Sequence, residues 1–163
     1  MSFQYATEPR IVDAAAPETF EAARTLFREY AERLGVSLCF QGFEQELSVI
    51  ETMYAPPKGA LLLLERDAGF GGCVGVRPLG EECEMKRLYV KPELRGLGCG
   101  RRLARAAIDR ARQLGYRRLY LDTLPSMAEA RALYANLGFE ETAPYYMNPV
   151  EGVRYMVKDL VIW

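Results

Sequence analysis

Apolar residues recur along this chain with two periods, and the switches between them mark its elements. Phe20, Ala23, Phe27, Tyr30 and Leu34 follow one another at alternating three- and four-residue steps, the spacing of one helix face. Pro17 suits the first turn of that helix and Gly35 its C-terminal cap. Ahead of it, Glu8–Ala14 reads as a short strand, and Phe43–Ile50 behind it as a second, short helix with Leu47 and Ile50 inward. Tyr54–Gly59 is a turn-rich linker. Ala60–Glu65 and Phe70–Arg77 are apolar runs of strand length about the turn Arg66–Gly69, which predicts an antiparallel pair. Gly71, Gly72 and Gly75 inside the second run imply a bulge or a close backbone approach. Pro78–Glu81 then turns the chain into Met85–Val90, a buried strand that Lys91-Pro92 ends, because proline has no amide to continue a ladder.

Beyond that strand the period returns to that of a helix. Leu103, Ala107, Ala111 and Leu114 form a buried stripe that Gly115 stops, with Arg101, Arg102, Arg105, Asp109 and Arg112 outside. Arg117–Thr123 is the next strand, parallel to the central one if this helix is its crossover. Ser126–Glu129 has the S-x-x-E pattern of a capping box and opens a helix through Leu133, Tyr134 and Leu137. A strand begins at Phe139, Pro144–Pro149 interrupts it, and Gly152–Val161 is the last strand.

The chain has 163 residues, the length of one domain, and its 50% hydrophobic and 26% charged residues are ordinary for a globular protein. A net charge of −1 argues against nucleic-acid binding through bulk positive charge. Met1–Gln4 lacks a charged-then-apolar pattern and no apolar run approaches membrane length, so no membrane partner and a cytoplasmic location are expected. There is no histidine, and Cys39, Cys73, Cys83 and Cys99 show no C-x-x-C spacing. Histidine triads are therefore excluded and no metal site is expected. A catalytic base must be a carboxylate, tyrosine, cysteine, lysine or water. A homodimer is a candidate assembly that the sequence neither requires nor excludes.

Glu84–Arg102, E-M-K-R-L-Y-V-K-P-E-L-R-G-L-G-C-G-R-R, joins the central strand to the long helix through a turn of three glycines. A bare turn before a helix N-terminus presents unpaired amides at the positive end of a dipole, which is a place for phosphate. The spacing is not that of a P-loop, since no Lys-Ser or Lys-Thr follows, nor that of a dinucleotide fingerprint, since Leu103 stands where a glycine would. It is R-x-x-G-x-G, from Arg95 to Gly100.

Here the chain resembles the GNAT superfamily of acyl-CoA-dependent N-acetyltransferases, whose signature is [QR]-x-x-G-x-[GA] between a strand and a long helix. Ala130–Tyr134 with Leu137-Gly138-Phe139 is similar to the second motif of that family, A-x-x-L-Y-x-x-x-G-F. The order of elements extends the resemblance over nearly the whole chain. It implies an α/β fold with a mixed, mostly antiparallel sheet, two central parallel strands that splay apart, and helices on both faces. It implies acetyl transfer from acetyl-CoA, as cosubstrate, to a primary amine by direct attack in a ternary complex. A small-molecule acceptor fits the bulky Leu38, Phe40, Phe43, Tyr145 and Tyr146. A protein acceptor and a non-catalytic CoA sensor are the rival readings.

By position, the resemblance gives the backbone amides of Gly96, Gly98, Gly100 and Arg101 to the pyrophosphate and the backbone of Leu88 and Val90 to the pantetheine arm. Arg95 folds onto the pyrophosphate or fixes the loop. Arg101, Arg102 and Arg105 stand near a 3′-phosphate and read equally as a solvated basic face. Glu84 takes the place of a catalytic glutamate, its alternative being a carboxylate paired with Lys86 or Arg87. Tyr134 takes the place of the general acid that protonates the leaving thiolate, its alternative being plain core. Met127 departs from the pattern where many relatives carry asparagine. Cys99, beside a helix N-terminus, is read as incidental.

Overall fold

A computed structural model of the chain describes residues 8–35, 37–38 and 42–161. Cys39 and Phe40 lie outside the described residues. Seven strands form one sheet in the order β1-β2-β3-β4-β5-β7-β6. They are β1 (Arg10–Asp13), β2 (Ala60–Arg66), β3 (Gly69–Leu79), β4 (Glu82–Val90), β5 (Arg118–Thr123), β6 (Glu140–Thr142) and β7 (Arg154–Asp159). The helices are α1 (Pro17–Leu34), α2 (Phe43–Ser48), α3 (Ile50–Met53), α4 (Cys99–Gln113) and α5 (Ala128–Asn136). No helix among the described residues is long and apolar enough to cross a membrane.

The expected α/β sheet is the one observed. All pairings are antiparallel except β4 with β5, which are parallel and joined only at Cys83↔Leu119 and Glu84↔Tyr120. Past Glu84 the two strands part, and that splay organises the molecule.

Strand alternation divides the apolar residues between two cores. Leu62, Leu64, Val74, Val76, Met85, Leu119 and Leu121 pack with Leu103, Ala104, Ala107 and Ala111 of α4. Leu61, Leu63, Cys73 and Tyr89 pack with Ala23, Leu26 and Phe27 of α1 and with Leu47 and Ile50. At about 1.5–3 kcal/mol for each fully buried large side chain, both faces are strongly held.

Gly75 shows why β3 is rich in glycine. A Cβ there would stand 2.3 Å from Tyr54 Cε1, so the ring lies directly against the strand backbone. β4 carries one extra residue opposite β3, between the pairs Gly75↔Lys86 and Cys73↔Tyr89. Arg87, in the bulge, has φ +59.

Several boundaries differ from the sequence expectation. β3 continues through Pro78 and Leu79, leaving Gly80 and Glu81 as the turn. The segment after residue 42 is two helices, broken at Val49. β1 and β7 are shorter than the runs that predicted them. The Ser126–Glu129 capping box does not form: α5 starts at Ala128 after Met127, with no side-chain cap. The Met127 amide bonds back to Leu124 O at 3.0 Å, and this turn carries Ser126 out of the cap position.

Candidate active site

The turn after β4 opens onto a groove of about 980 Å³ lined by Leu88, Val90, Arg95, Gly96, Gly98, Gly100 and Cys99 on one side and by residues 126–130 and Leu133 on the other. Gly96 and Gly98 adopt φ +79 and +77, and a Cβ built on either meets nothing within 4 Å. Side chains at these positions would project into open space without touching the protein. Gly98 is the N-cap of α4 and no side chain caps the helix, so the first-turn amides, those of Gly100 and Arg101 included, stay open for a ligand.

The backbone of β4 continues the groove. Lys91 N donates to Gly71 O at 2.8 Å, toward β3. Successive residues of a strand turn their amides and carbonyls to opposite edges, so Leu88 and Val90 face the open splay. Arg95 Nε donates to Val90 O at 3.1 Å, which fastens the loop to the strand end. The Arg101 guanidinium reaches Asn136 Oδ1 at 3.1 Å on α5, so this side chain does not line the groove.

A tighter cavity lies where β4 and β5 part, lined by Lys86, Arg87, Asp122, Thr123 and Tyr134 among others. Tyr30, Leu34, Leu88 and Met127 line both this cavity and the groove, so the two spaces meet. Tyr134 is 6% exposed and packs edge-on against Phe139. Burial holds its hydroxyl proton well above the ordinary tyrosine range, helped slightly by Tyr30 and Asp122. Tyr134 is thus a buried ring that also lines the cavity. Tyr30, read from sequence as helix core, is also here, and burial raises it to about 12.

Behind the cavity lies a buried set of three carboxylates and three cations. Glu46, fully buried, accepts from Arg87 Nε at 3.0 Å and Nη2 at 2.9 Å, from Arg77 Nη1 at 3.4 Å, and from Tyr54 OH at 3.0 Å. Glu84, 3% exposed, accepts from Arg77 Nε at 3.1 Å and Tyr145 OH at 2.5 Å and pairs with Lys86 Nζ at 3.3 Å. Lys86 Nζ continues to Asp122 Oδ1 at 3.2 Å. Asp122 Oδ2 accepts from Tyr146 OH and from Asn148 Nδ2, the latter at 3.3 Å. Burial alone would raise the carboxyls of Glu46 and Asp122. For Glu46 the hydrogen bonds and charge of Arg87, with Arg77, outweigh it; for Asp122, Lys86 and Tyr146 do, and both carboxyls end lowered.

Residues 20–139 match the Acetyltransferase (GNAT) family. The chain belongs to that family. An uncharacterized N-acetyltransferase of Schizosaccharomyces pombe is 41% identical over 143 residues, spanning 86% of this chain and 88% of the relative. The fold is also that of the PaiA N-acetyltransferase of Thermoplasma acidophilum, solved in complex with coenzyme A. That structure gives a TM-score of 0.73 at 18% identity and covers 94% of this chain and 99% of the other. The ribosomal-protein-S18-alanine N-acetyltransferase of Escherichia coli superposes with a TM-score of 0.72 at 20% identity over 96% of both chains.

This GNAT acetyltransferase therefore takes an acyl-CoA cosubstrate, and its own groove fits one: uncapped amides, glycines with open space beyond them, and a strand edge at Leu88 and Val90 in a continuous line. The sequence-predicted Leu88, Val90, Arg95, Gly96, Gly98 and Gly100 all lie on that line, while Arg101 adds only its amide. Glu84 is ion-paired with Lys86, as one reading had it, but not with Arg87, because the bulge turns Arg87 to Glu46. Its second cation is Arg77, from β3. Lys86, Arg87, Asp122 and Glu46 were missed as site residues. Charged residues inside otherwise buried strands were the available signal, and Lys86-Arg87 between Met85 and Leu88 carries it.

Proposed function

We propose that this GNAT acetyltransferase moves the acetyl group of acetyl-CoA to the primary amine of a small-molecule acceptor, by direct attack within a ternary complex. The observation that carries the reading is the meeting of the groove of about 980 Å³ with the tighter cavity lined by Tyr134. The amine nitrogen attacks the thioester carbonyl, the C–S bond breaks as the tetrahedral intermediate collapses, and the thiolate takes the Tyr134 hydroxyl proton. The proton lost by the amine passes to the Asp122–Lys86–Glu84 unit. Asp122 is its end in the cavity wall, and Glu84 its buried end.

Tyr145 and Tyr146 support a small acceptor. Their hydroxyls reach Glu84 and Asp122 behind and in the cavity wall, and their rings pack on each other and on Tyr155. The S18-alanine enzyme has a protein acceptor by its name, so the fold itself admits that alternative. Initial rates with acetyl-CoA and an active amine varied together test the mechanism. Intersecting double-reciprocal lines are expected, and parallel lines would establish an acetyl-enzyme instead.

A further inference from the structure

The acceptor's chemistry follows from how the charges around the cavity are distributed. The buried set is neutral as a whole: Glu46, Glu84 and Asp122 against Arg77, Lys86 and Arg87. Its members do not share the cavity equally. Lys86, Arg87 and Asp122 line it, two cations and one carboxylate, whereas Glu46 and Glu84 lie behind the wall.

Donors are in surplus on that wall. Glu46 already accepts from Arg77, from Arg87 twice and from Tyr54, while Arg87 gives it only Nε and Nη2. Its Nη1 has no carboxylate partner among the described residues, and the rest of the guanidinium is engaged by Tyr30 and by the Phe43 ring. Lys86 has three N–H groups, two carboxylate partners and the face of the Tyr146 ring at 5.4 Å. Thr123 is 3% exposed, lines the same cavity, and its Oγ1 is buried without a hydrogen-bond partner among the described residues. Orphaned hydroxyls of that kind are uncommon in folded proteins and call for a partner from outside the chain, a water or a ligand's polar group.

A neutral buried set penalises any ligand that brings net charge into it, because that charge is desolvated without compensation. A plain ammonium would add a cation beside Lys86 and Arg87. A zwitterion adds no net charge, and it brings an acceptor-rich carboxylate to a wall lined by two cations and the Thr123 hydroxyl. Its ammonium meets Asp122, whose Oδ1 has only Lys86 as a partner among the described residues.

We infer that the acceptor is a small amino acid, an amine whose own carboxylate is seated on Lys86 and Arg87 while its nitrogen is presented beside Asp122. This rests on the acetyl-transfer reading above. The carboxylate orients the amine toward the thioester and selects against amines that lack it.

The test compares matched acceptors on the unaltered enzyme: a set of α- and β-amino acids, their carboxamides, and the corresponding decarboxylated amines. Thiol release from acetyl-CoA is followed at neutral pH. A carboxamide's amine is less basic than that of its parent acid, so simple reactivity favours the carboxamide and biases against the predicted order. The expected result is a kcat/KM at least tenfold higher for the amino acid than for either partner, with amine-free short carboxylic acids inhibiting competitively against it. Equal or better turnover of the carboxamides or plain amines would overturn the carboxylate seat and leave acetyl transfer standing. Acetyl-CoA binding without thiol release to any amine would instead refute acetyl transfer, and this inference with it.

Discussion

Tyr134 and Glu84 are held so differently that their loss must show differently. Tyr134 keeps its hydroxyl proton because burial disfavours the phenolate, which suits the donor role proposed for it. Tyr134→Phe retains the ring and its contact with Phe139, so cofactor affinity stays close to that of the parent. The maximal rate falls about a hundredfold to ten-thousandfold at every pH. Glu84→Gln is equally weak at neutral pH but recovers toward about pH 9–10, where amines lose their proton unaided. A pair of pH–rate profiles separates the two, and identical profiles would remove one role. Gly100 offers a cleaner test of the groove than the glycines at positive φ. A Cβ there meets only Val90 Cγ2, at 3.9 Å, so Gly100→Ala leaves the helix undisturbed. It should weaken acetyl-CoA binding by about 1–3 kcal/mol, roughly fivefold to a hundredfold by calorimetry, as the phosphate is lifted from its amides. Cys99 is 2% exposed and lines the groove. Cys99→Ala is expected to keep most of the turnover, and a collapse of activity with binding intact would replace direct attack by an acetyl-cysteine.

Among the elements, β4 and its partner α2 carry the largest stability prediction. The Arg87 bulge is locked by a bidentate bond to Glu46, which no water reaches. Glu46→Ala leaves Arg87 charged and buried without its carboxylate, at a cost of about 3–5 kcal/mol. For a domain of this size that lowers Tm by roughly 6–20 °C, readable by circular dichroism. Glu46 and Asp122 are both lowered in the fold. Their contribution is therefore complete above the ordinary carboxylate range, about pH 4, and is lost as pH falls through their folded values. Acid unfolding of the parent below about pH 4 should be shallower in Glu46→Gln, which has no proton to take up there. The strands and long helices were legible because their periods are local properties of the chain. The groove was legible because Arg95–Gly100 and Ala130–Phe139 carry it in short runs. The β3 bulge was signalled by its glycines, with Gly71 the extra residue between the pairs Leu64↔Gly72 and Glu65↔Phe70. The Arg87 bulge in β4 was not, because an arginine adopts positive φ there only under a pair formed 41 residues away. The charged set was hidden for the same reason: Glu46, Arg77, Lys86 and Asp122 come from four separate elements. The capping box failed in the opposite sense, a correct local pattern displaced by a neighbouring turn.

Over the whole molecule, one departure from regular pairing creates the site. β4 and β5 hold together at two residue pairs and then part. The groove reaches the parting along Leu88 and Val90, and the buried charged set reaches it through Lys86 and Asp122. Two substrates brought to one gap in a sheet can react without the protein forming a covalent bond to either. The most direct test mixes purified enzyme, acetyl-CoA labelled in the acetyl group and a panel of small primary amines, and follows both free thiol and the mass of the amine. The account predicts thiol release that depends on the amine, matched one for one by a labelled N-acetyl product. Thiol release that no amine increases, or a label that stays on the protein, would contradict it.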